Sequence, residues 1–179
     1  ITDMVLGSAN STGMSISSWV KLPTSYTCAS EDDYIISLGN STDTAVPSSG
    51  GIWLDDCVPT FSYSNGADIN LAAPAAISLG VWHHVVGVYE TDGDNLIYVD
   101  GKVANSGSDI DIVEEVVEVF VGKSTSSGDP DWFNGSIDEV MIYNRSITAL
   151  EASELYIKAR AGYSYVAYQN ITGTTLNYS

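Results

Sequence analysis

The amino-acid sequence predicts an all-β fold of many short antiparallel strands with one helix near the C-terminus. Runs of alternating or β-branched residues, separated by clusters of Gly, Pro, Asn and Asp, recur up to about residue 143. The segment "TALEASELYIKA" then opens with Thr148 and Glu151, which have the spacing of a capping box at a helix N-terminus. Short strands with regular turn signals are typical of a sandwich or a barrel.

The predicted strands follow one another with a turn signal between neighbours. "SISSWVKL" alternates Ile16, Val20 and Leu22 with Trp19 and Lys21 on the other face. "PTFSYSNG" ends in an Asn-Gly turn, and the Asp-Gly pair at 100–101 is a tight turn signal after "LIYVD". The predicted strands cover residues 15–22, 32–40, 50–56, 59–66, 82–90, 96–100, 114–124 and 136–144, with a broken strand and connector over 68–80.

The charge balance excludes one class of partner. The chain has 6 Lys and Arg against 23 Asp and Glu, a net charge of −17 at pH 7. Because phosphate binding requires many Lys and Arg side chains, nucleic acid is not expected as a partner. No apolar run approaches the roughly 18 residues that span a bilayer, so we expect no membrane span in this chain. Such acidity suits a solvated surface, a cell-surface location or divalent cations.

Asparagine triplets and cysteines predict an exported glycoprotein at the cell surface or outside the cell. Six asparagines begin an Asn-x-Ser/Thr triplet, the acceptor for N-glycosylation: Asn10, Asn40, Asn134, Asn144, Asn170 and Asn177, the last being least favoured because it lies close to the C-terminus. Cys28 and Cys57 are expected to form a disulfide, with two buried thiols or half of a zinc site as the alternatives. The sequence begins at Ile1 rather than Met, so we expect a processed N-terminus or a boundary, with any signal peptide already removed.

Three segments in a fixed order resemble a known family. They are "VWHHVVGVYETDGDNLIYVDGKV", "VFVGKS" and "DWFNGSIDEVMIYNRSITALEASELY". They resemble the laminin-G-like, concanavalin A-like jelly-roll module of prokaryotic surface proteins over about residues 14–156. The resemblance implies an all-β fold, a two-sheet antiparallel jelly-roll sandwich of about six or seven strands per sheet with one short helix near the C-terminus. The fold alone implies little about the ligand, since it serves lectins, adhesion domains and a few hydrolases.

The adjacent histidines, His83 and His84, invite a catalytic or metal-binding hypothesis. In a strand, Trp82 and His84 share one face and His83 takes the other. The resemblance implies that Trp82 and His84 pack against the sheet, so we expect His84 to be a buried, hydrogen-bonded imidazole and His83 to face solvent. No nucleophile or orienting carboxylate lies at a suitable spacing in this segment, which favours a structural role.

A structural calcium site is the one cofactor hypothesis. The resemblance places Glu139, Met141 and Tyr143 outward in "SIDEVMIYN", which turns Asp138 inward beside two aliphatic residues. A buried carboxylate requires hydrogen bonds or a cation, and oxygen-rich sites of this kind suit Ca²⁺. In relatives the equivalent Asp often binds calcium, so the expected ligand is Asp138, with Asp129, Asp131 and Asp3 as candidate partners. The alternative is an Asp138 that bonds to backbone amides alone.

Two functions remain open, and neither is enzymatic. Glucanases of this superfamily commonly use an E-x-D-x-x-E strand, and no such pattern occurs here, so paired carboxylates for hydrolysis are not expected. The first hypothesis is a non-catalytic exported surface module for adhesion, envelope structure or filament assembly. The second is a carbohydrate-binding, lectin-like module in which Trp53, Tyr63 and Trp132 stack on sugar rings beside Asp55, Asp56 and Asn65. Trp19 and Trp82 are expected in the core.

The chain departs from the family at both ends. Compared with the resembling modules, most of an opening strand is absent, whereas a β-prone segment rich in tyrosine continues beyond the usual stop. We therefore divide the sequence into a laminin-G-like domain over 1–161 and a C-terminal tail over 162–179. A sandwich without an edge strand exposes unpaired backbone groups. The tail is expected to complete a sheet in cis or in a neighbouring subunit, the latter giving self-association or contact with other surface proteins.

Overall fold

Two antiparallel sheets and a C-terminal helix form the domain. The computed structural model describes residues 13–28, 32–39, 49–64, 68–90, 93–107, 118–124 and 132–172. The strands are β1 (Gly13–Lys21), β2 (Asp32–Gly39), β3 (Ser49–Asp55), β4 (Val58–Ser64), β5 (Asp68–Ala72), β6 (His83–Glu90), β7 (Asn95–Val99), β8 (Lys102–Gly107), β9 (Glu118–Val121) and β10 (Ser136–Tyr143), and α1 covers Ala149–Thr172. The all-β jelly-roll sandwich with a helix near the C-terminus is confirmed.

The sheets have the strand orders β10-β1-β6-β7-β8, called sheet I, and β5-β4-β3-β2-β9, called sheet II. Within the described residues each sheet has five strands, fewer than the six or seven that the family resemblance implies. Strand β8 is also absent from the predicted strands. Its sequence, "KVANSG", has little β-propensity, and its pairing follows from the turn that joins it to β7.

The main core lies between the sheets. Strand β1 contributes Met14, Ile16 and Val20, and sheet II contributes residues such as Ile52 and Phe61. Gly87 in β6 leaves room for the Phe61 ring, because a Cβ at that position would lie 2.2 Å from a ring carbon. The two layers therefore pack closely at the centre of the sandwich.

A second apolar cluster lies on the other face of sheet I, under α1. Val86 and Val88 of β6 pack there with Ala152 and Leu155 of α1. Strand β6 is thus buried on both faces, which explains its nearly continuous apolar sequence, "HVVGVY". Helix α1 begins with the predicted capping box: the Glu151 amide donates to Thr148 Oγ1 at 3.2 Å, and the Thr148 amide donates to Glu151 Oε2 at 2.8 Å.

The C-terminal segment differs from its predicted conformation. Residues 162–172 continue α1, whereas their tyrosine-rich, β-prone sequence predicts a strand. Once a helix has been nucleated, each added residue gains a backbone hydrogen bond, and Tyr and Val weaken helix propensity only by several tenths of a kcal/mol. Residues 173–179 lie outside the described residues. Completion of a sheet by the tail stays a prediction.

The disulfide between Cys28 and Cys57 is confirmed. Cys57 is buried in the turn between β3 and β4, so the bridge fixes the segment after β1 to the end of sheet II. Of the predicted glycosylation sites, Asn134 and Asn144 are exposed and Asn170 lies in α1, whereas Asn10, Asn40 and Asn177 fall outside the described residues. Among the residues that the structure describes, no helix combines the length and apolar character that crossing a bilayer requires.

Candidate ligand-binding cleft

His84 lies on the face of sheet I that α1 covers. It pairs with Trp19 across β1 and β6, and its side chain is fully buried. Its Nε2 lies 2.8 Å from Ser17 Oγ, and its ring lies 5.2 Å from the Trp19 ring and 6.3 Å from the Tyr156 ring. Burial lowers the pKa of His84 to about 4, although nearby Asp100 opposes this shift, so the imidazole is neutral at pH 7. The expected buried, hydrogen-bonded imidazole is observed, but under the helix rather than between the sheets.

The turn between β7 and β8 holds both histidines in place. Asp100 and Gly101 have φ angles of 52° and 74°, the left-handed conformations of a tight two-residue hairpin turn. This geometry turns the Asp100 carboxylate back onto the start of β6. Its Oδ1 accepts from the His84 amide at 3.0 Å, and its Oδ2 accepts from His83 Nδ1 at 2.9 Å.

His83 does not face solvent as predicted. Its side chain is only 13% exposed, because it lies between Asp100 and the connector that follows β5. The Ser78 amide donates to His83 Nε2 at 3.1 Å, so Nε2 carries no proton and Nδ1 carries the one that Asp100 accepts. His83 is therefore neutral in this arrangement, and it joins three segments of the chain.

Asp100 is held in its charged form. Partial burial raises the pKa of this carboxyl, but the hydrogen bonds from His83 and from the His84 amide outweigh burial and keep the pKa below its ordinary value. Asp100 is therefore a fixed negative charge, one third exposed, at the end of sheet I.

A cleft of about 390 Å³ opens between this turn, the start of β6 and α1. It is lined by Trp19, Val81, Trp82, His83, Asp100, Tyr156 and Arg160. Trp19 and Tyr156 stack with their ring centroids 5.6 Å apart. Arg160, one helical turn after Tyr156, donates to the Tyr156 hydroxyl at 2.9 Å, and Lys21 Nζ lies 5.1 Å from the centroid of the Trp82 ring. The cleft thus combines aromatic walls with a carboxylate and a guanidinium.

A buried pair of a serine and a histidine, Ser17 and His84, lies in sheet I beside the cleft. The Ser17 and His84 pair has the composition of a nucleophile and its base, but both side chains are fully buried. Asp100 bonds to the backbone amide of His84 and not to Nδ1, which finds no partner among the described residues. An activated serine requires an oriented base and access for a substrate, and this pair has neither.

The aromatic residues predicted from sequence are not brought together at this cleft. Trp53, in the middle of sheet II, is 7% exposed and stacks on Tyr34 at 5.6 Å, so it is not the exposed platform that was expected. Trp132 is 63% exposed and pairs with Lys123 in an isolated bridge. Tyr63 pairs with Ile69 through the backbone of β4 and β5, and its side chain lies outside the described part.

The cleft residues were missed for identifiable reasons. Trp82, which the sequence predicts in the core, is half-buried and lines the cleft. Tyr156 lies in the predicted helix "TALEASELYIKA" and Arg160 follows its last residue, so only a continuation of that helix places the two residues, four apart, on the same face. The sequence gives no sign of the role of Asp100, because an Asp-Gly pair is already accounted for by the turn that it forms.

The inward orientation predicted for Asp138 is wrong. Asp138 is exposed, because a bulge opposite Ser18 breaks the alternation of β10. Glu139 in this bulge has a φ of 47°, and the residues on either side of it, Ile137 and Ile142, are the ones that pack on the core. Asp129, Asp131 and Asp3 fall outside the described residues, and within the described part no group of three or more His, Cys, Asp or Glu is placed to hold a metal ion. Calcium binding stays a prediction.

The chain belongs to the concanavalin A-like lectin/glucanases superfamily, since a laminin G family of that superfamily matches residues 2–153. No curated protein is similar enough to count as a match.

Solved structures with the same fold come from several kinds of protein. A heptameric SAP-like pentraxin from Limulus polyphemus has a TM-score of 0.62 at 17% identity, over 86% of this chain and 73% of the pentraxin. A Trypanosoma rangeli sialidase in complex with sialic acid has a TM-score of 0.63 at 15% identity, over 83% of this chain and 23% of the sialidase. The receptor binding domain of botulinum neurotoxin type G has a TM-score of 0.61 at 17% identity, over 83% of this chain and 38% of that domain. At these identities the likeness concerns the fold alone, and the chain spans only a minor part of the sialidase and of the toxin domain.

Proposed function

We propose that this domain is a non-catalytic recognition module of an exported surface protein and that it binds a carbohydrate in the cleft between sheet I and α1. The observation that carries the proposal is the lining of that cleft. Trp82 and Tyr156 offer aromatic faces on which the apolar face of a sugar ring can stack, while Asp100 and Arg160 offer an acceptor and a donor for hydroxyl groups. Its volume of about 390 Å³ lies within the usual range of small-molecule sites.

The surface location is supported by the disulfide, which persists in oxidising compartments, and by the exposed acceptor asparagines Asn134 and Asn144. The fold is compatible with this role, because similar folds occur in a pentraxin, in a sialidase that was solved in complex with sialic acid and in the receptor binding domain of a neurotoxin. The absence of catalysis is supported by the burial of Ser17 and His84 and by the engagement of Asp100 with two donors.

A glycan array tests this function with two matched tryptophan variants. The wild-type domain is expected to retain a defined set of glycans, and Trp82→Ala is expected to lose them, because it removes a wall of the cleft. Trp132→Ala, which removes an exposed tryptophan elsewhere, is the control and is expected to bind as the wild type does. Loss of binding in Trp132→Ala with retention in Trp82→Ala would move the site to the surface first predicted from sequence. The bound saccharides should be recovered uncleaved.

Assembly with a second copy is the other candidate function, and it is favoured by one side of the sandwich. Among the residues that the structure describes, strands β9 and β10 are the edge strands on this side, and Val121, Trp132 and Val140 are exposed there. Exposed edges and apolar side chains together favour edge-to-edge contact. Sedimentation analysis of the wild type, of Val121→Lys and of a variant without residues 162–179 tests it, and a wild type that is monomeric at high concentration rules it out.

A further inference from the structure

Two of the few cationic side chains in this acidic chain flank the cleft. The chain has six Lys and Arg in all, against 23 Asp and Glu. Arg160 lines the cleft, with its guanidinium carbon 5.4 Å from the Tyr156 ring centroid, and Lys21 lies over Trp82 at the same end of sheet I.

The other cations of this region are neutralised by acidic partners. Arg145 bonds to Glu151 at 2.6 Å, and Lys158 bonds to Glu154 at 2.8 Å. By contrast, within the described residues Lys21 and Arg160 form no ion pair with a carboxylate. Their contacts are with aromatic rings, which hold a cation in place without cancelling its charge.

The cleft itself supplies one negative charge. Asp100 is charged, but each of its oxygens already accepts a hydrogen bond from the protein. His83 is neutral, because its Nε2 accepts from the Ser78 amide. The lining of the cleft therefore holds one positive and one negative charge, and Lys21, over Trp82, adds a second positive charge beside it, within a molecule that is strongly negative as a whole.

We propose that the saccharide bound in the cleft carries an anionic group, the carboxylate of a uronic acid or a sulfate ester, which Arg160 and Lys21 bind. This inference rests on the proposed function and names the chemical class of its ligand. The sugar ring stacks against Trp82 and Tyr156 while the anion reaches the two cations at the rim. A guanidinium donates two parallel hydrogen bonds to a carboxylate or a sulfate. Because the rings already restrict both cations, less entropy is lost when the anion binds.

Calorimetric titration with three matched oligosaccharides tests the inference. The probes are a neutral hexose oligomer, its uronic acid counterpart and its 6-sulfated counterpart, of equal length and linkage. We expect at least one anionic probe to bind about tenfold more tightly than the neutral one, which is the value of a charge-assisted hydrogen bond. The tighter of the two anionic probes identifies the source of the anion.

Three variants separate charge from stacking. Arg160→Gln and Lys21→Gln are each expected to reduce the advantage of the anionic probe over the neutral probe severalfold. Lys21→Gln should leave the affinity for the neutral probe almost unchanged, whereas Arg160→Gln should also weaken the neutral probe, because Arg160 lines the cleft. Lys158→Gln, in the same helix but paired with Glu154, is the matched control and should keep the full advantage. Raising the salt concentration should weaken the anionic probe only.

The outcomes distinguish this inference from the proposed function. Equal affinity for all three probes, with every affinity lost in Trp82→Ala, would overturn the anionic class and leave carbohydrate binding in the cleft intact. An anionic advantage that persists in both charge variants would overturn the assignment to Arg160 and Lys21. No binding of any saccharide, on the array or in solution, would overturn the proposed function itself.

Discussion

His83 and His84 differ in what they contribute, although they are neighbours in sequence. His83 is a neutral link between the β7–β8 turn and the connector before β6, through Asp100 and the Ser78 amide. His84 is a buried ring beside the stacked Trp19 and Tyr156 rings, under α1. Period-2 alternation correctly predicts that they point to opposite faces of β6. It does not predict that both faces are covered, because α1 lies far away in sequence.

The buried His84 makes stability depend on pH. Its pKa is about 4 in the folded protein and 6.5 in the unfolded chain, so between these values the unfolded chain binds a proton that the folded protein does not. Stability is therefore complete above about pH 6.5 and decreases as the pH falls towards 4, by about 3 kcal/mol in total. Denaturant unfolding at intervals between pH 7 and pH 4 measures this decrease.

His84→Gln is the control for this pH dependence, since it keeps an amide that can bond to Ser17 but does not titrate over this range. The variant should be less stable than the wild type at pH 7. Its free energy of unfolding should change less than that of the wild type between pH 6.5 and pH 4. A wild-type stability that stays constant over that range would show that His84 is not buried as a neutral imidazole.

Asp100→Asn is expected to destabilise the domain by about 1–2 kcal/mol, because one partner of a buried hydrogen-bonding pair is lost. The amide oxygen can still accept from the His84 backbone, but the amide nitrogen then faces the protonated Nδ1 of His83. In the other tautomer of His83, Nε2 would carry the proton, and that proton would face the N–H of Ser78, which is also a donor. Thermal unfolding measures the loss, with the exposed Asp94→Asn as control. Equal melting temperatures for the two variants would show that the bonds of Asp100 to His83 and to the His84 amide do not stabilise the domain.

At the scale of elements, the sequence predicts where the strands lie along the chain better than it predicts which of their side chains point towards the core. Strands β1, β2, β3, β4, β6, β7, β9 and β10 all appear where alternation or turn signals place them. The orientation of β10 was inferred wrongly at Asp138, because a bulge adds a residue that no alternation rule anticipates. Strand β8 and the length of α1 depend on what packs beside them, and local composition does not carry that information.

The capping box of α1 gives an element-scale prediction. Thr148→Ala removes the oxygen that accepts from the Glu151 amide and should cost about 1 kcal/mol, while Thr148→Ser keeps the cap and should cost little. Thermal unfolding of both variants measures the difference. Because Tyr156 and Arg160 lie in the same helix, saccharide affinity should fall with helix stability in Thr148→Ala. An alanine variant as stable as the serine variant would show that the cap does not hold the helix start.

At the scale of the whole molecule, the disulfide and the two-sided packing of sheet I hold the parts together. The sequence predicts the bridge and the superfamily. The sequence does not reveal the cleft, because its lining residues are distant in sequence and only the fold brings them together. Its residues come from β1, the start of β6, the β7–β8 turn and α1.

Removing the disulfide should lower stability by about 3–4 kcal/mol, as the chain-entropy account gives for a loop of this size. The bridge closes a sequence separation of 29 residues. Cys28→Ala/Cys57→Ala and the reduced wild type should both melt about 10 °C lower or more. Reduction removes only the bridge, whereas the double substitution also changes the packing of the buried Cys57. Equal losses in the two measurements would therefore show that the bridge itself accounts for the lost stability. A reduced protein with the melting temperature of the oxidised one would contradict the role of the bridge.

The central claim, that the cleft is the carbohydrate site, is tested most directly by the indole N–H signals of the four tryptophans in a nuclear magnetic resonance titration. The chain has only Trp19, Trp53, Trp82 and Trp132, and single substitutions assign each signal. With the neutral, uronic acid and 6-sulfated oligosaccharides as probes, we expect the Trp82 signal to shift most and the Trp19 signal to follow. Trp53, in sheet II, and Trp132, beside Lys123, should not move. Saturable shifts confined to Trp53 or Trp132, or no shift with any probe, would contradict the account.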